Sequence, residues 1–449
     1  MIKQRYLLVI LIFTFSCKKE ALTESEQFIN TFEEYVSSDS HSPDYIYDQN
    51  NLHRFDIYLS EENLNILDEN PAAENYVEGS LVFEGKALRK VGVRYKGSIG
   101  AWVGCLSGED VFNPSGYKTC PKLSLKIKIN WNGNDTFYGL KKLQFHSQNL
   151  DQSMMHERLG YWMFRNFNVP APRSNHALIY INGEFNGVYA NTEHIDGPFA
   201  NNHFENGEGN IYKEVWPINS EGNPHSQTEY INALKTNEEA SNVSKIIKFA
   251  NEVTAADDSN INQVVDKWID KEQFLRTIVV DRRIAHDDGF LHWYAVGDIY
   301  ASNHNYFWYE DSLNDKIQLI PWDLDNAFDN IYYIRNPLIN IIDNWNEVSN
   351  DCDLFYYGVG LIKQKSAACD KIIGSYTKYT DTYEELDSIF KANYFNLNKI
   401  NELLSQWSLQ IESAVLQANN KFEGREISVE EWKNEMERLK DEIQLSLNN

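Results

Sequence analysis

Residues 53–60 (HRFDIYLS) alternate apolar and polar positions as a strand does, and residues 61–68 follow with helical spacing. Two further alternating runs, 76–83 and 87–96, are joined by Glu84-Gly85-Lys86 and predict a hairpin. Residues 122–129 (KLSLKIKI) alternate strictly. Leu123, Leu125, Ile127 and Ile129 face one way, and Lys122, Ser124, Lys126 and Lys128 the other, so this is a half-buried strand. The spacing over 151–167 predicts a helix whose apolar stripe is Met155, Leu159 and Trp162, with Glu157 off the stripe. Residues 175–193 read as a second hairpin turning at Asn182-Gly183. From about residue 196 helical patterns dominate, at 227–252, 259–287 and most of 380–449, ending in a charged amphipathic segment at 428–447. Strands come first and helices later. That order predicts an α+β protein of two lobes, 51–195 and 196–449, rather than alternating β-α-β units.

The first seventeen residues break this pattern. Lys3 and Arg5 precede an apolar run over 6–15 that is too short to span a bilayer. The run ends in Phe15-Ser16-Cys17, which resembles a bacterial lipoprotein cleavage site. The expectation is a signal peptide over 1–16, a lipidated Cys17 held at a membrane, and a polar tether over 17–50 with one short helix around residues 28–35. The alternative is a plain signal peptide with an incidental cysteine. Four cysteines remain, Cys105, Cys120, Cys352 and Cys369, in two local pairs. An even count in an exported chain predicts two disulfides, although four cysteines allow three connectivities. No CxxC is present, which argues against a zinc ribbon.

Charge removes one class of function. Against 66 Asp and Glu stand 41 Lys and Arg, a formal net charge of −25. Phosphate neutralisation needs basic surface, so nonspecific nucleic-acid binding is excluded. The same excess disfavours acidic substrates and favours a basic acceptor.

The chemistry concentrates in residues 286–329. Asp287 and Asp288 precede a loop, Asn305 opens a strand, and Pro321-Trp322-Asp323-Leu324-Asp325 closes the following hairpin. A carboxylate before the hairpin, an amide at its start and two carboxylates after it can converge on one point. Mg²⁺ and Mn²⁺ take oxygen ligands of this kind, and a neighbouring Asp can serve as a base. Turns and helix caps use the same residues. His286, His292 and His304 sit in the same stretch, but no HExxH-type spacing supports a zinc hydrolase.

Several ordered stretches together resemble the CotH family of kinases. They are 91–98 (VGVRYKGS), 121–128 (PKLSLKIK), Met155-His156-Glu157-Arg158-Leu159 through 168–173, the hairpin 180–189 with Glu193, 209–213 (GNIYK), 304–306 (HNY) and 321–325 (PWDLD). The resemblance implies a diverged, bilobal protein-kinase-like fold, with an antiparallel-sheet N-lobe and a mainly helical C-lobe. It implies ATP and Mg²⁺ or Mn²⁺ as cofactors and a protein with a Ser, Thr or Tyr acceptor as partner. It implies Asp288 as the catalytic Asp, with Asp287 as the alternative. Asn305, Asp323 and Asp325 become metal ligands. Lys126 becomes the phosphate-pairing lysine, with Lys128 and Lys122 as alternatives, and Glu157 its partner on the helix. Gly97 and Ser98 would cover the phosphates, and the strand ending at Glu193 would border the adenine. None of the standard kinase strings VAIK, HRD or DFG occurs, and an insertion over 101–119 is flanked by Cys105 and Cys120. Two other readings stand beside this one: a non-catalytic surface or carbohydrate- or protein-binding lipoprotein on the same fold, and a divalent-metal hydrolase.

Overall fold

The computed structural model describes residues 28–37, 42–110, 112–133, 136–295, 301–328, 352–357 and 362–448. The signal-like segment, Cys17 and the first part of the expected tether lie outside the described residues. Among those described, no helix is long and apolar enough to cross a membrane.

Besides the two-residue strand Glu33–Glu34, seven strands form the N-terminal sheet: β1 (His53–Tyr58), β2 (Val77–Phe83), β3 (Lys86–Tyr95), β4 (Leu125–Lys128), β5 (Lys142–His146), β6 (Ser174–Ile181) and β7 (Glu184–Thr192). Their order in space is 3-2-1-6-7-5-4, and β4 also pairs with β3, so the sheet closes on itself. The sheet is mixed, which corrects the expected antiparallel one. β1 and β6 run parallel, His53 opposite Ala177 through Ile57 opposite Ile181. They are far apart in sequence, and the connection between them is long enough to permit a parallel crossover.

Both predicted hairpins form. Asn182 and Gly183 have φ of 51° and 82°, and Glu84 and Gly85 have φ of 49° and 77°. Positive φ at both central residues is the two-residue turn that suits the strand twist. The strict alternation over 122–129 is met on its apolar face, where Leu123, Leu125, Ile127 and Ile129 are buried. Its polar face is less exposed than expected, for Lys122 is buried and ion-paired to Glu426 at 2.9 Å.

Residues 28–37 and 42–50 pack on this barrel, with Tyr35, Ile46 and Tyr47 buried. Of the short helix expected around 28–35, Phe28 and Ile29 are helical, and the chain then turns into Glu33–Glu34, paired parallel with Lys86 and Ala87. Tyr35 fixes this path, its N–H donating to Ala87 O (2.9 Å) and its hydroxyl accepting from Tyr138 N (2.8 Å).

Helix α1 (His156–Asn166) lies between the barrel and the helices that follow. Its Arg158 is fully buried and holds both sides. It donates to Gln49, to Gln410 Oε1 (3.0 Å) and to His176 Nδ1 (2.8 Å). Downstream come β8 (Ile211–Lys213), α2 (Lys271–Arg283), the hairpin β9 (Tyr306–Asp311) and β10 (Lys316–Pro321), and then α3 (Thr380–Asn393), α4 (Leu397–Lys421) and α5 (Val429–Asn448). Disulfides link Cys105 to Cys120 and Cys352 to Cys369, the two local pairs.

The last helix is part of the core. Trp432 is fully buried, and its Nε1–H donates to Ser153 O at 2.8 Å. Replacing Trp432 with Ala is expected to cost about 3–5 kcal/mol through cavity formation. Urea titration would show this as a lower midpoint at unchanged slope, and an unchanged midpoint would place α5 outside the cooperative unit.

Candidate functional site

The hairpin β9–β10 decides the geometry. Tyr306 pairs with Pro321, so Asn305, one residue before the pair, and Trp322-Asp323, just after it, are side by side. The Trp322 N–H donates to Asn305 O at 3.0 Å. Asn305 turns its amide to the preceding loop, Nδ2 donating to Asp288 Oδ2 (3.0 Å) and to Asp288 O (2.9 Å). Asn305 and Asp323 hold left-handed backbone at φ of 60° and 57°. Such strain in non-glycine residues persists only where the surroundings fix it.

His286 supplies part of that fixing. Its ring is buried between Asp281 Oδ2, in the last turns of α2, and the backbone carbonyl of Asp323, 3.0 Å from each. Tyr161 of α1 accepts the Asp323 N–H at 3.0 Å. The loop bearing Asp288 and the turn bearing Asp323 and Asp325 are thereby held from two sides.

The carboxylates crowd one another. Asp288 is raised to about 6 by burial, with Asp323 adding to the rise and His304, His286 and the Asn305 bond opposing it. Asp325 lies well above the ordinary carboxylate range through burial, reinforced by Asp323, Glu157, Asp288 and Asp151. Among the described residues no three His, Cys, Asp or Glu side chains form a ready-made metal cage. The donors still fit a hard divalent cation. They are oxygen atoms only, and the mutual repulsion of the carboxylates is what such a charge relieves. Adding Mg²⁺ or Mn²⁺ is therefore expected to release protons from Asp325 and Asp288, with affinity falling as the pH is lowered. Calorimetry in two buffers of different ionisation enthalpy measures this release, and identical heats would sink it.

A basic group lies opposite. Lys126 of β4 is lowered to about 7 by burial and then by Lys142, Lys96 and Arg94. His194 is pushed far down by burial and by Lys126, Lys142, Lys96 and Lys213. Lys96 is lowered by burial, while Asp323 and Glu157 pull it back up. Lys96 and Lys126 lie near one another, and Lys142 and Lys213 close by are ion-paired to Asp196 and Glu214, each at 3.5 Å. Lys96 and Lys126, both lowered by burial, gain from an anion placed beside them.

The structure brings together Asp288, Asn305, Asp323 and Asp325, and places Lys126 opposite Arg94 and Gln144 and near Lys96. Other expected residues are placed differently. Among the described residues Lys126 forms no ion pair with Glu157. Glu157 is buried and meets His146 Nδ1 at 2.7 and 2.8 Å, while accepting from Thr192 Oγ1 at 2.8 Å. Lys128 lies over Trp131. The Glu193 carboxylate is enclosed by Arg173 and by His203 at 2.8 Å. The Gly97 N–H donates to Glu74 Oε1 at 2.9 Å, so it is engaged within the protein, and Ser98 precedes the short helix Ile99–Trp102.

Sequence reasoning missed Lys96, His146, Lys142, His194 and Tyr161, and it named His286 without giving it a role. Two signals were present. His286-Asp287-Asp288 keeps the His-x-Asp spacing of a kinase catalytic loop. Lys96 stands directly before Gly97-Ser98, in a matched stretch.

The family model for the CotH kinase protein matches residues 93–448, most of the chain and all of this site. The chain belongs to the CotH kinase family. The chain is also similar to the inner spore coat protein H of Bacillus subtilis (strain 168), 24% identical over 197 residues. That match covers 42% of this chain and 51% of the relative, so the chain spans about half the length of the curated relative it matches. CotH membership implies a kinase-like fold, in line with the mixed sheet followed by helices. It implies ATP as the polyanion for which the lysines are suited.

Proposed function

We propose that this protein transfers the γ-phosphoryl group of ATP to a hydroxyl of a protein substrate. The observation that carries the reading is the meeting of Asp288, Asn305, Asp323 and Asp325, with Lys96 lying over the adjacent Trp322 and interacting with Asp323. Phosphoryl transfer depends on positioning and charge neutralisation, and this arrangement offers both. Lys96 and Lys126 bind phosphate oxygens. Asn305, Asp323 and Asp325 would hold Mg²⁺ or Mn²⁺, which when bound offsets the charge of the phosphates. Asp288 orients the acceptor hydroxyl and takes its proton as the new O–P bond forms and the bond to the β-phosphate oxygen breaks, releasing ADP. Asn305 fixes the Asp288 carboxylate for this step.

The acceptor segment is basic, because the protein's −25 charge repels acidic peptides. Two disulfides, and a relative named for the spore coat, support a location outside the cytoplasm. Lipid attachment at Cys17 would hold the chain at a membrane there.

Intact mass spectrometry after incubation with ATP, Mg²⁺ or Mn²⁺ and a panel of Lys-rich Ser, Thr and Tyr peptides tests the reading. Phosphate added by the parent, and absent with Asp323→Ala, is the expected result. ATP bound without transfer to any peptide or to the chain itself would favour a binding protein.

A further inference from the structure

Lys96 and Glu157 stand on opposite sides of an imidazole. The Lys96 Nζ is 2.7 Å from His146 Nε2, and His146 Nδ1 is 2.7 and 2.8 Å from the two Glu157 oxygens. His146 ends β5, Lys96 follows β3, and Glu157 lies in the first turn of α1. All three approach the side of the site that carries Asp323, since Lys96 feels both Asp323 and Glu157. The ring also meets Trp322 edge-on at 5.8 Å between centroids, and Lys96 lies 5.7 Å from the centre of the same indole. Trp322 is the neighbour of Asp323 in sequence.

With Lys96 as an ammonium and Glu157 as a carboxylate, hydrogen-bonding capacity assigns the role of each ring nitrogen. An ionised carboxylate only accepts, so Nδ1 carries the proton towards Glu157. A lysine ammonium only donates, so Nε2 is the bare nitrogen. Both ring nitrogens are thus committed to ionisable side chains. His53 and His176, by contrast, each give a nitrogen to a backbone carbonyl, that of Tyr45 and that of Met154.

We propose that His146 is the positioning residue for the phosphate-binding lysine, and that Glu157 of α1 acts on Lys96 through the His146 imidazole rather than by a direct ion pair. The inference rests on the nucleotide reading above and adds to it a three-residue chain, Lys96–His146–Glu157. Held by the ring, the Lys96 amine is aimed at the phosphates. Its aim depends on where α1 sits, so a shift of α1 moves Lys96.

Three substitutions separate the two ring contacts. His146→Asn can replace the Nδ1 donor to Glu157 but does not reach Lys96. His146→Gln can place an amide oxygen near the Nε2 position and accept from Lys96. His146→Ala does neither. A lost charge-assisted hydrogen bond on this scale is worth about tenfold or more in affinity. KM for ATP and the Kd of a fluorescent ATP analogue are therefore expected to rise about tenfold in the Ala and Asn variants. In the Gln variant they recover to within about threefold of the parent. In all three, kcat falls by less than KM rises. Combining His146→Ala with Lys96→Met should be no worse than Lys96→Met alone, because both remove one interaction.

A ring that merely packs would give a different pattern. The KM for ATP would follow the melting temperature of each variant, and the double variant would show additive losses. Either finding, or an Ala variant that binds ATP as the parent does, overturns the proposal. The kinase reading fails separately, on a parent that binds ATP and transfers nothing, and there the analogue Kd still decides the role of His146. A parent that binds no nucleotide removes both.

Discussion

Replacing Asp288 with Asn is expected to lower phosphoryl transfer about 10²–10⁴-fold, the usual contribution of a positioned general base. ATP affinity should change only a few-fold, because the lysines proposed to meet the phosphates are untouched. The Asn side chain keeps an oxygen that can accept from Asn305 Nδ2, so the loop retains its tie to β9. What is lost is the capacity to take a proton. Burial, with Asp323 beside it, raises Asp288 to about 6, close enough to neutrality for an effective base. The sign follows directly. Above that value the carboxylate is ionised and transfer proceeds; as the pH falls through it, Asp288 is protonated and the rate drops. A bound divalent cation moves this limb to lower pH. Rates from pH 5 to 8 should show the limb in the parent and no such limb in the variant. Retention of more than about a tenth of the rate would remove Asp288 from the base role. The same change at Asp287, which is 1% exposed, should register in stability instead.

The parts of this site that were legible in sequence share one property: chain order alone placed them. Asp288, Asn305, Asp323 and Asp325 bracket a hairpin, and pairing Tyr306 with Pro321 is enough to gather them. The Asn182-Gly183 turn and the alternation of β4 are similarly local. The partner of Glu157 was not local. Which lysine reaches α1 depends on how the barrel closes. In the closed register Lys126 lies opposite Arg94 and Gln144. Lys96, just beyond β3, is the lysine that reaches the His146 side of Glu157. A single histidine at a strand end carries no periodic signal, so His146 passed unnoticed. The parallel β1–β6 pair was hidden for the same reason, since no turn specifies it. Helix breaks were partly readable. The apolar pattern over 259–287 ran through Asp270, yet Asp270 caps α2 by accepting from Gln273 N, an N-cap visible in the sequence.

Glu193 gives the second large effect, and it separates a structural role from the nucleotide role read from sequence. Its carboxylate is fully buried with Arg173 and His203. Burial alone would raise it, but His203 and Arg173 outweigh burial and hold it down at about 2 against an ordinary 4.5. A carboxylate depressed in the folded state stabilises the fold above its unfolded value. That stabilisation is lost as the pH falls from about 4.5 towards 2, and the shift corresponds to about 3 kcal/mol. Glu193→Gln leaves Arg173 and His203 without their shared buried charge, and breaking a buried pair costs about 3–5 kcal/mol. Urea unfolding at pH 7 should show that loss, and the gap between parent and variant should narrow towards pH 3. The residues that hold Glu193 come from positions 173 and 203, on either side of it in the chain, so the damage spreads through the connection between barrel and helices. KM for ATP, measured on the fraction that remains folded, should stay within about threefold of the parent, as expected for a substitution acting on stability rather than on a bound ligand. A variant as stable as the parent but with a raised KM would return Glu193 to the adenine border.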